Sequence, residues 1–400
     1  MPDYDVIIAG AGIVGLAAGL KILEQKPNVK LLILEKENEI AKHQTGHNSG
    51  VIHSGIYYKP GSLKAKNCIH GYNLLVDFCS RENIPYEICG KVIVAVNESE
   101  LKRLDDIYER GIANGLDKIR KIESDELKNF EPHAKGVRAI HIPYTGIINY
   151  SNVARKYAEN IQNKGGEIKL NEKIIKVSNK NGTIDIAAQN RSFPSKVFIN
   201  CCGVYSDEVA KLSGRNPDTR IIPFRGEYYK LVPEKRYFIK NLIFPVPDPA
   251  FPFLGVHFTR MMNGEVEIGP NAVLSFKKEG YTKTSFNVGD TMKTFSWGGF
   301  YKIASKYYKT GMSEFRRSFS KNAFVKELQK LIPEIQESDL VPGGAGVRAQ
   351  AIGKDGKLVD DFLIIEKGNI VNVLNAPSPA ATSSLAIGET IAKLVFSKLN

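Results

Sequence analysis

The chain has 400 residues, of which 42% are hydrophobic and 24% charged, a composition that is typical of a folded protein and excludes a disordered one. Its formal net charge is +12 at pH 7, but the lysines are scattered among acids, and no run of like charge is long enough for a nucleic-acid-binding tail. The apolar stretches near its start are too short to span a bilayer. We therefore expect a cytoplasmic protein without a nucleic-acid partner, and the positive charge adds the expectation of peripheral contact at the inner face of the membrane.

The first 35 residues carry a dinucleotide-binding pattern. An apolar strand leads into a glycine turn and a helix, and a second apolar strand at 31–34 ends in Glu35. Gly10 allows the tight turn, Gly12 lets the backbone approach a pyrophosphate, and Gly15 allows close packing of helix on strand. Glu35 follows Gly15 by 20 residues, which is where an acid accepts a hydrogen bond from a ribose hydroxyl.

The rest of the chain alternates between two kinds of segment. The pattern predicts, in chain order, a helix at 153–164, strands at 167–170, 174–177 and 197–200, short alternating strands at 228–231 and 265–269, and a strand at 370–374 before a final helix. Segments rich in aromatics, prolines and short alternating runs favour a mostly antiparallel sheet.

These patterns predict an α/β fold with a Rossmann-like nucleotide-binding domain and an interleaved domain built on a mostly antiparallel β-sheet (α+β). We assign residues 1–83, 149–223 and 338–400 to the nucleotide-binding domain. Residues 84–148 and 224–337 are assigned to the second domain, which would bind the substrate.

The five cysteines are Cys68, Cys79, Cys89, Cys201 and Cys202. Their number is odd, and their spacing includes neither C-x-x-C nor a metal-ligand pattern. They are therefore predicted to be reduced, mostly buried thiols, and no metal site is expected.

The fingerprint occurs in both NAD-binding and FAD-binding proteins. The prediction of FAD therefore rests on stretches of glycine and other small residues elsewhere in the chain. Backbone can approach a large flat ligand closely where side chains are small. Four such stretches are predicted as turns that converge on one extended cofactor: 41–50, 200–206, 342–348 and 379–384.

Five motifs are distributed along the chain: HNSGVIHSGIYY at 47–58, PFRGEY at 223–228, FLGVHFT at 253–259, GAGVRAQ at 344–350 and NAPSPAATSS at 375–384. In this order they resemble the D-amino-acid-oxidase-type FAD-dependent oxidoreductases, and within them the L-2-hydroxyglutarate oxidases and dehydrogenases. One departure is visible after Thr259, where the family reads Pro-Arg and this chain reads Arg260-Met261. The guanidinium is thus displaced by one position.

The resemblance implies FAD as cofactor, so that the Rossmann-like domain of residues 1–83, 149–223 and 338–400 is an FAD-binding domain and residues 84–148 and 224–337 form the substrate-binding domain. The residues that it places against FAD, together with their neighbours in the same turns, are Gly10, Gly12, Ile13, Val14, Gly15, Glu35, Lys36, Thr45, Gly46, Ser49, Gly50, Val51, Val177, Cys202, Gly203, Gly346, Arg348, Ala381, Thr382 and Ser383.

Oxidation of a 2-hydroxy acid removes a hydride from carbon and a proton from oxygen, so the protein must supply a base. His53 is the predicted base, because the pKa of histidine lies near working pH and its loop also wraps the flavin. The alternative is that His53 is a hydrogen-bonded side chain that positions the loop.

A dicarboxylic substrate calls for guanidinium groups, which hold a carboxylate through two hydrogen bonds. Arg348 is predicted to bind the carboxylate beside the reacting carbon, and Arg225 or His257 the distal one. Tyr57 is predicted to line the substrate site. Alternatively, Arg225 pairs with Glu227, and His257 packs in the sheet.

The predicted function is FAD-dependent oxidation of L-2-hydroxyglutarate to 2-oxoglutarate, with hydride transfer to flavin N5 and electrons passed to oxygen or to a membrane quinone. The alternatives are an amine-oxidising flavoprotein of the glycine or D-amino-acid oxidase type, an NAD-dependent dehydrogenase, and a non-catalytic basic binding protein.

Overall fold

The computed structural model describes residues 2–189, 191–248 and 255–399, so positions 253 and 254 of the third motif lie outside the described residues. In this part of the chain, the first sheet has eight strands, with a parallel centre and antiparallel margins. In spatial order they are Ile174–Lys180, Thr183–Ala188, Ser192–Asn200, Tyr4–Ala9, Leu31–Leu34 and Glu167–Lys169, with Ile370–Asn375 beside Ser192–Asn200 and Leu363–Lys367 beside Ile370–Asn375.

Both faces of the central strand Tyr4–Ala9 are buried. Val6 and Ile8 belong to the core on one face of the sheet. Ile7 and Ala9 belong to the core on the other face. This burial on two sides explains why the strand reads as an uninterrupted apolar run.

Helices cover both cores of the first sheet. Those that pack together on one face are Ile13–Gln25, Leu63–Arg81, Tyr150–Asn163 and Ser384–Leu399, whereas Ser206–Leu212 packs on the other. The predicted helix at 153–164 begins earlier, because the Asn149 side chain accepts hydrogen bonds from the backbone N–H groups of Ser151 and Asn152.

The second sheet has nine strands within the described ranges. In spatial order they are Val273–Leu274, Thr219–Leu231, Val266–Gly269, His257–Arg260, Leu242–Pro245, Lys91–Ala95, Arg138–Ile142 and Arg120–Glu123, with Leu340–Gly353 beside Thr219–Leu231. Its strand pairs are antiparallel except for Leu242–Pro245 with Lys91–Ala95. The α/β fold with a mostly antiparallel second sheet is thus confirmed.

Shorter elements complete the architecture. A small sheet contains Val51–Ile52, Gly146–Ile148 and Tyr86–Glu87. The remaining helices are Leu101–Ala113, Ser124–Phe130, Val288–Phe295, Gly298–Lys306, Tyr308–Phe319 and Lys321–Leu328, with 3-10 turns at Glu98–Glu100, Gly203–Tyr205, Pro233–Phe238 and Glu337–Asp339. Among the helices in the described ranges, none has the length and apolar character needed to cross a membrane.

The segment 342–348, predicted as a turn against the cofactor, is instead part of the long strand Leu340–Gly353. It pairs antiparallel with Thr219–Leu231 along the length of that strand. The ladder outweighs the weak strand propensity of its glycines. This part of the stretch 338–400 therefore belongs to the second sheet and not to the sheet of the nucleotide fingerprint.

Candidate active site

A cavity of about 660 Å³ lies at the carboxyl ends of the parallel strands of the first sheet, where Ala9, Leu34 and Leu374 form part of its wall. Doubly wound sheets bind their nucleotides at this edge. The predicted cofactor residues that line it are Gly10, Gly12, Ile13, Val14, Glu35, Lys36, Thr45, Ser49, Val51, Cys202, Gly203 and Ala381. Asn48 and Tyr150 also line it, although neither is among the residues predicted to contact the cofactor.

The fingerprint glycines have different roles. A Cβ at Gly15 would lie 2.0 Å from the carbonyl oxygen of Gly10, so Gly15 is required by packing. A Cβ at Gly12 would make only an ordinary contact, 3.5 Å from Thr45 Oγ1. Gly12 also caps the helix Ile13–Gln25 without a side chain. The space beside Gly12 thus suits close approach of a phosphate to backbone N–H groups.

Glu35 is the acid at the second strand of the fingerprint. It is buried; its Oε2 accepts a hydrogen bond from the backbone N–H of Ala11 at 2.8 Å, and its Oε1 from that of Glu37 at 3.1 Å. Each carboxylate oxygen can accept a further hydrogen bond. The cavity, the bare backbone at Gly12 and this carboxylate together fit the nucleotide part of FAD.

The other predicted cofactor residues do not line the cavity: Gly15, Gly46, Gly50, Val177, Gly346, Arg348, Thr382 and Ser383. A Cβ at Gly46 would lie 2.7 Å from a carbonyl oxygen of the same loop, and one at Gly346 would lie 2.5 Å from the carbonyl oxygen of His47. Val177 packs in the core under the antiparallel margin of the first sheet. Protein contacts therefore account for these three residues.

His53 follows the short strand Val51–Ile52 and lines the cavity. Its backbone N–H donates to Thr382 Oγ1 at 3.1 Å, and its Nε2 lies 3.5 Å from Ser378 Oγ. Burial lowers the pKa of His53 to about 3, and the positive charges of Lys91 and other nearby groups act in the same direction. The imidazole is therefore neutral at physiological pH and can accept a proton.

Next to His53 lies an aromatic and basic cluster from the second sheet. The ring of His257 packs on that of Phe244 with centroids 4.0 Å apart, and its Nδ1 lies 3.0 Å from the carbonyl oxygen of Gly255. Lys91 Nζ lies 4.6 Å from the ring centroids of both Phe244 and Tyr57. Burial lowers the pKa of His257 to about 4, so this imidazole is also neutral.

Arg348 extends from the strand Leu340–Gly353 toward this cluster. Its charge contributes to the lowered pKa of His257, and the pKa of its own guanidinium is lowered by burial. The side chain is nevertheless accessible to solvent. The structure thus brings four predicted residues, His53, His257, Tyr57 and Arg348, into one region.

Arg225 does not join this group. Its Nε and Nη2 donate to Glu227 Oε1 at 3.0 and 2.8 Å, and its Nη1 donates to the carbonyl oxygen of Thr282 at 2.8 Å. The predicted role of Arg225 in binding the distal carboxylate is therefore not supported, because all three guanidinium nitrogens already have structural partners.

One group has the composition of a metal site. Donor atoms of Glu37, His43 and Glu279 lie within 4.8 Å of one another. Lys36 Nζ contacts both carboxylates, at 2.6 Å from Glu279 Oε1, and the Tyr205 hydroxyl donates to Glu279 at 2.7 Å. A cation is thus already supplied by lysine, and we interpret the group as an ion-pair network beside the cavity.

Sequence comparison assigns a family to this fold and cavity. The family model described as FAD dependent oxidoreductase matches residues 5–394, and the chain belongs to this family. It is 60% identical to the L-2-hydroxyglutarate dehydrogenase of Indibacter alkaliphilus over 97% of this chain and 98% of that protein. It is 45% identical to the mitochondrial L-2-hydroxyglutarate dehydrogenase of Homo sapiens over 98% of this chain and 88% of that protein. The predicted resemblance and the FAD cofactor are confirmed.

Solved structures share the fold. The dithionite-reduced L-alpha-glycerophosphate oxidase of Mycoplasma pneumoniae with FAD bound has a TM-score of 0.81 and 24% identity, covering 98% of this chain and 94% of that one. Glycine oxidase from Bacillus cereus has a TM-score of 0.72 and 16% identity, covering 99% and 96%. At these identities the likeness shows the fold alone.

Proposed function

We propose that this protein oxidises L-2-hydroxyglutarate to 2-oxoglutarate, with His53 as the base. The observation that carries the proposal is the position of His53, which lines the cofactor cavity and borders a cluster of basic side chains. The high identity to proteins named L-2-hydroxyglutarate dehydrogenase supports the same substrate.

Bound FAD would supply the acceptor for the substrate hydride, at flavin N5. The protein residues supply the remaining chemistry. His53 takes the hydroxyl proton on its free imidazole nitrogen, and Ser378 and Thr382 hold its side chain and backbone in place. Binding of an anionic substrate raises the pKa of His53 and so makes it a stronger base than in the free protein.

Arg348 would bind the carboxylate beside the reacting carbon. A guanidinium desolvated by surrounding protein gains from a carboxylate partner that forms two hydrogen bonds. His257 is neutral, and its Nδ1–H donates to the carbonyl oxygen of Gly255, so its Nε2 would accept a hydrogen bond from the substrate hydroxyl and orient the substrate without adding charge.

The cations of the cluster argue against the amine-oxidising alternative. A substrate that binds as an ammonium ion would meet Lys91 and Arg348, whose positive charges both act on His257. A dianionic hydroxy acid would meet the opposite sign. Glycine oxidase shares the fold, but the composition of this site favours an acid substrate.

For the electron acceptor, we propose a membrane quinone reached by peripheral association, with oxygen as the alternative. The support is a set of apolar side chains that are more than half exposed on three successive helices: Val288, Met292, Tyr301, Tyr308, Met312 and Phe319. Lysines and arginines share these helices. Such a surface suits an anionic lipid interface. Cosedimentation with vesicles containing anionic lipid, lost in Met312→Glu, is the expected result.

Anaerobic titration tests the central proposal. The protein with bound FAD is mixed with L-2-hydroxyglutarate, L-lactate, glycine or a D-amino acid, and loss of the oxidised flavin absorbance is followed. L-2-hydroxyglutarate should reduce the flavin fastest. Faster reduction by an amino acid would overturn the proposal.

A further inference from the structure

Lys91 is a buried cation in the active-site region, and it lies outside the five sequence motifs. It begins the strand Lys91–Ala95, in which all five residues are buried, and its exposed fraction is only 2%. Its ammonium lies 4.6 Å from the ring centroids of Tyr57 and Phe244. Cation–π contacts of this kind recover only part of the cost of desolvating an ammonium group.

A carboxylate partner for Lys91 is missing among the described residues. Neither a hydrogen bond nor an ion pair of its ammonium occurs there, and the group that most favours its charge is the Cys68 thiol. Burial raises the pKa of that thiol to about 12, so Cys68 is neutral. The neighbouring Lys64 differs, because the carboxylates of Asp360 and Asp361 act on it.

A second polar group beside Lys91 also awaits a partner. The hydroxyl of Tyr57 is buried and makes no hydrogen bond within the described part of the chain. An unpaired buried hydroxyl is costly. An anionic oxygen placed beside Lys91 could accept a hydrogen bond from this hydroxyl as well.

Lys91 and Arg348 both act on His257. The positive charges of these two residues contribute to the lowered pKa of His257, whose ring packs on Phe244, and Lys91 lies over the same Phe244 ring. The region therefore contains two cations with a neutral imidazole in reach of both. A ligand with one carboxylate at each end matches this arrangement of charge.

We propose that the Lys91 ammonium, together with the Tyr57 hydroxyl, binds the distal carboxylate of the substrate, while Arg348 binds the proximal one. The inference rests on the proposed function and deepens it, since it names the specificity-determining residue for a dicarboxylate. It replaces Arg225, whose guanidinium is held by Glu227 and Thr282.

The test compares two unreactive acids, glutarate and butyrate, on the protein with bound FAD. Binding is followed by the change in the absorption spectrum of the oxidised flavin, which requires no turnover. Lys91→Met should weaken the binding of glutarate by about 30-fold or more, the loss expected when a buried charge pair is removed. The affinity for butyrate, which lacks the distal carboxylate, should change by no more than about 3-fold.

Lys64→Met is the matched control, because it removes a nearby cation that has its own carboxylates. The ratio of glutarate to butyrate affinity should stay at the wild-type value in this variant. Equal losses for the two acids in Lys91→Met, or the same ratio change in Lys64→Met, would overturn the inference.

Wild-type protein provides a measurement that does not depend on a variant folding. Burial lowers the pKa of Lys91 to about 7, whereas His53 and His257 titrate near 3 and 4, and the pKa values of Tyr57 and Cys68 are raised. Among these facing groups, only Lys91 changes charge between pH 6 and 8.5. The preference for glutarate over butyrate should therefore fall as pH rises through this range.

A preference that stays constant with pH would count against Lys91. Failure of this inference is distinguishable from failure of the proposed function. If L-2-hydroxyglutarate does not reduce the wild-type flavin, the proposed function fails. If it does, but the affinity ratio is insensitive both to Lys91→Met and to pH, only the assignment of Lys91 fails.

Discussion

Arg225 and Arg348 belong to neighbouring positions of one antiparallel ladder, yet their side chains leave it on opposite faces. Arg348 stands opposite Phe224, and Arg225 stands opposite Val347. Because paired residues in a ladder share a face and consecutive residues alternate, the two guanidinium groups are separated by the sheet. One faces the active-site region, and the other is held by Glu227.

The two arginine variants should therefore fail in different ways. Arg348→Ala should lower kcat/KM for every 2-hydroxy acid by about 30-fold or more, because each of these substrates carries the proximal carboxylate. The thermal midpoint should change little. Rates of anaerobic flavin reduction and thermal unfolding, measured on the same preparation, check both statements.

Arg225→Ala should instead lower stability by about 1–3 kcal/mol, because the half-buried Glu227 loses its two hydrogen bonds from the guanidinium and keeps only those from Asn271 and Ser318 and the longer ion pair with Lys283. The ratio of kcat/KM for L-2-hydroxyglutarate to that for L-2-hydroxybutyrate should remain that of the wild type. A selective loss of the dicarboxylate in Arg225→Ala would restore the interpretation that the sequence suggested.

Substitutions at two fingerprint glycines should separate cofactor binding from folding. Gly12→Ala should give a folded protein that has lost FAD, because its Cβ would meet only Thr45 Oγ1 at 3.5 Å but would intrude on the pyrophosphate site. Gly15→Ala should fail to fold, because its Cβ would lie 2.0 Å from the Gly10 carbonyl. Circular dichroism and flavin content distinguish the outcomes. Full flavin occupancy in Gly12→Ala would contradict the assignment.

The proton-transfer role of His53 has its own signature. His53→Ala should retain FAD but be reduced by L-2-hydroxyglutarate about 10²–10⁴-fold more slowly, because a positioned base contributes this much. His70→Ala is the control, since His70 is an exposed histidine whose Nε2 pairs with Glu389. Stopped-flow absorbance at several substrate concentrations separates binding from reduction. Near-wild-type reduction in His53→Ala would place the base elsewhere.

The sequence predicted the first strands and the first helix of the nucleotide fingerprint well because their signals are local. The strand Tyr4–Ala9, the glycine turn and Glu35 lie within one short stretch, and each has a recognisable pattern. The helix Tyr150–Asn163 was predicted from its cap and its terminal glycines. The assignment of the chain to two discontinuous domains stays a prediction, modified by the strand Leu340–Gly353.

The features that the sequence did not predict depend on pairing between strands that are far apart in the chain. The glycines of 342–348 favour a turn locally, and only the ladder with Thr219–Leu231 makes the segment a strand. Which arginine faces the site depends on register, since a shift of one residue reverses every side chain. One local feature of the sequence points to Lys91: this lysine directly precedes the apolar run 92–95.

The buried charge of Lys91 should also appear in the pH dependence of stability. Its pKa is lowered to about 7 in the folded protein from 10.5, so the unfolded chain binds more protons between these values. Below pH 7 the lysine is charged in both states, and the full cost of burying the charge opposes folding. As pH rises from 7 to 10.5, this cost falls by up to about 1.4 kcal/mol per pH unit, so the free energy of unfolding increases.

Lys91→Met removes the charge and keeps an apolar side chain of similar length. The variant should be more stable than the wild type by roughly 1–4 kcal/mol at pH 6, the range found when buried charges are replaced by apolar groups, and this advantage should shrink by pH 9. Denaturant unfolding at pH 6 and pH 9 with excess FAD measures the difference. A variant less stable than the wild type at pH 6 would mean that Lys91 has a structural anionic partner. A variant more stable than the wild type at pH 6 would instead show that the buried ammonium of Lys91 lowers stability, as expected of a cation that serves to bind a carboxylate.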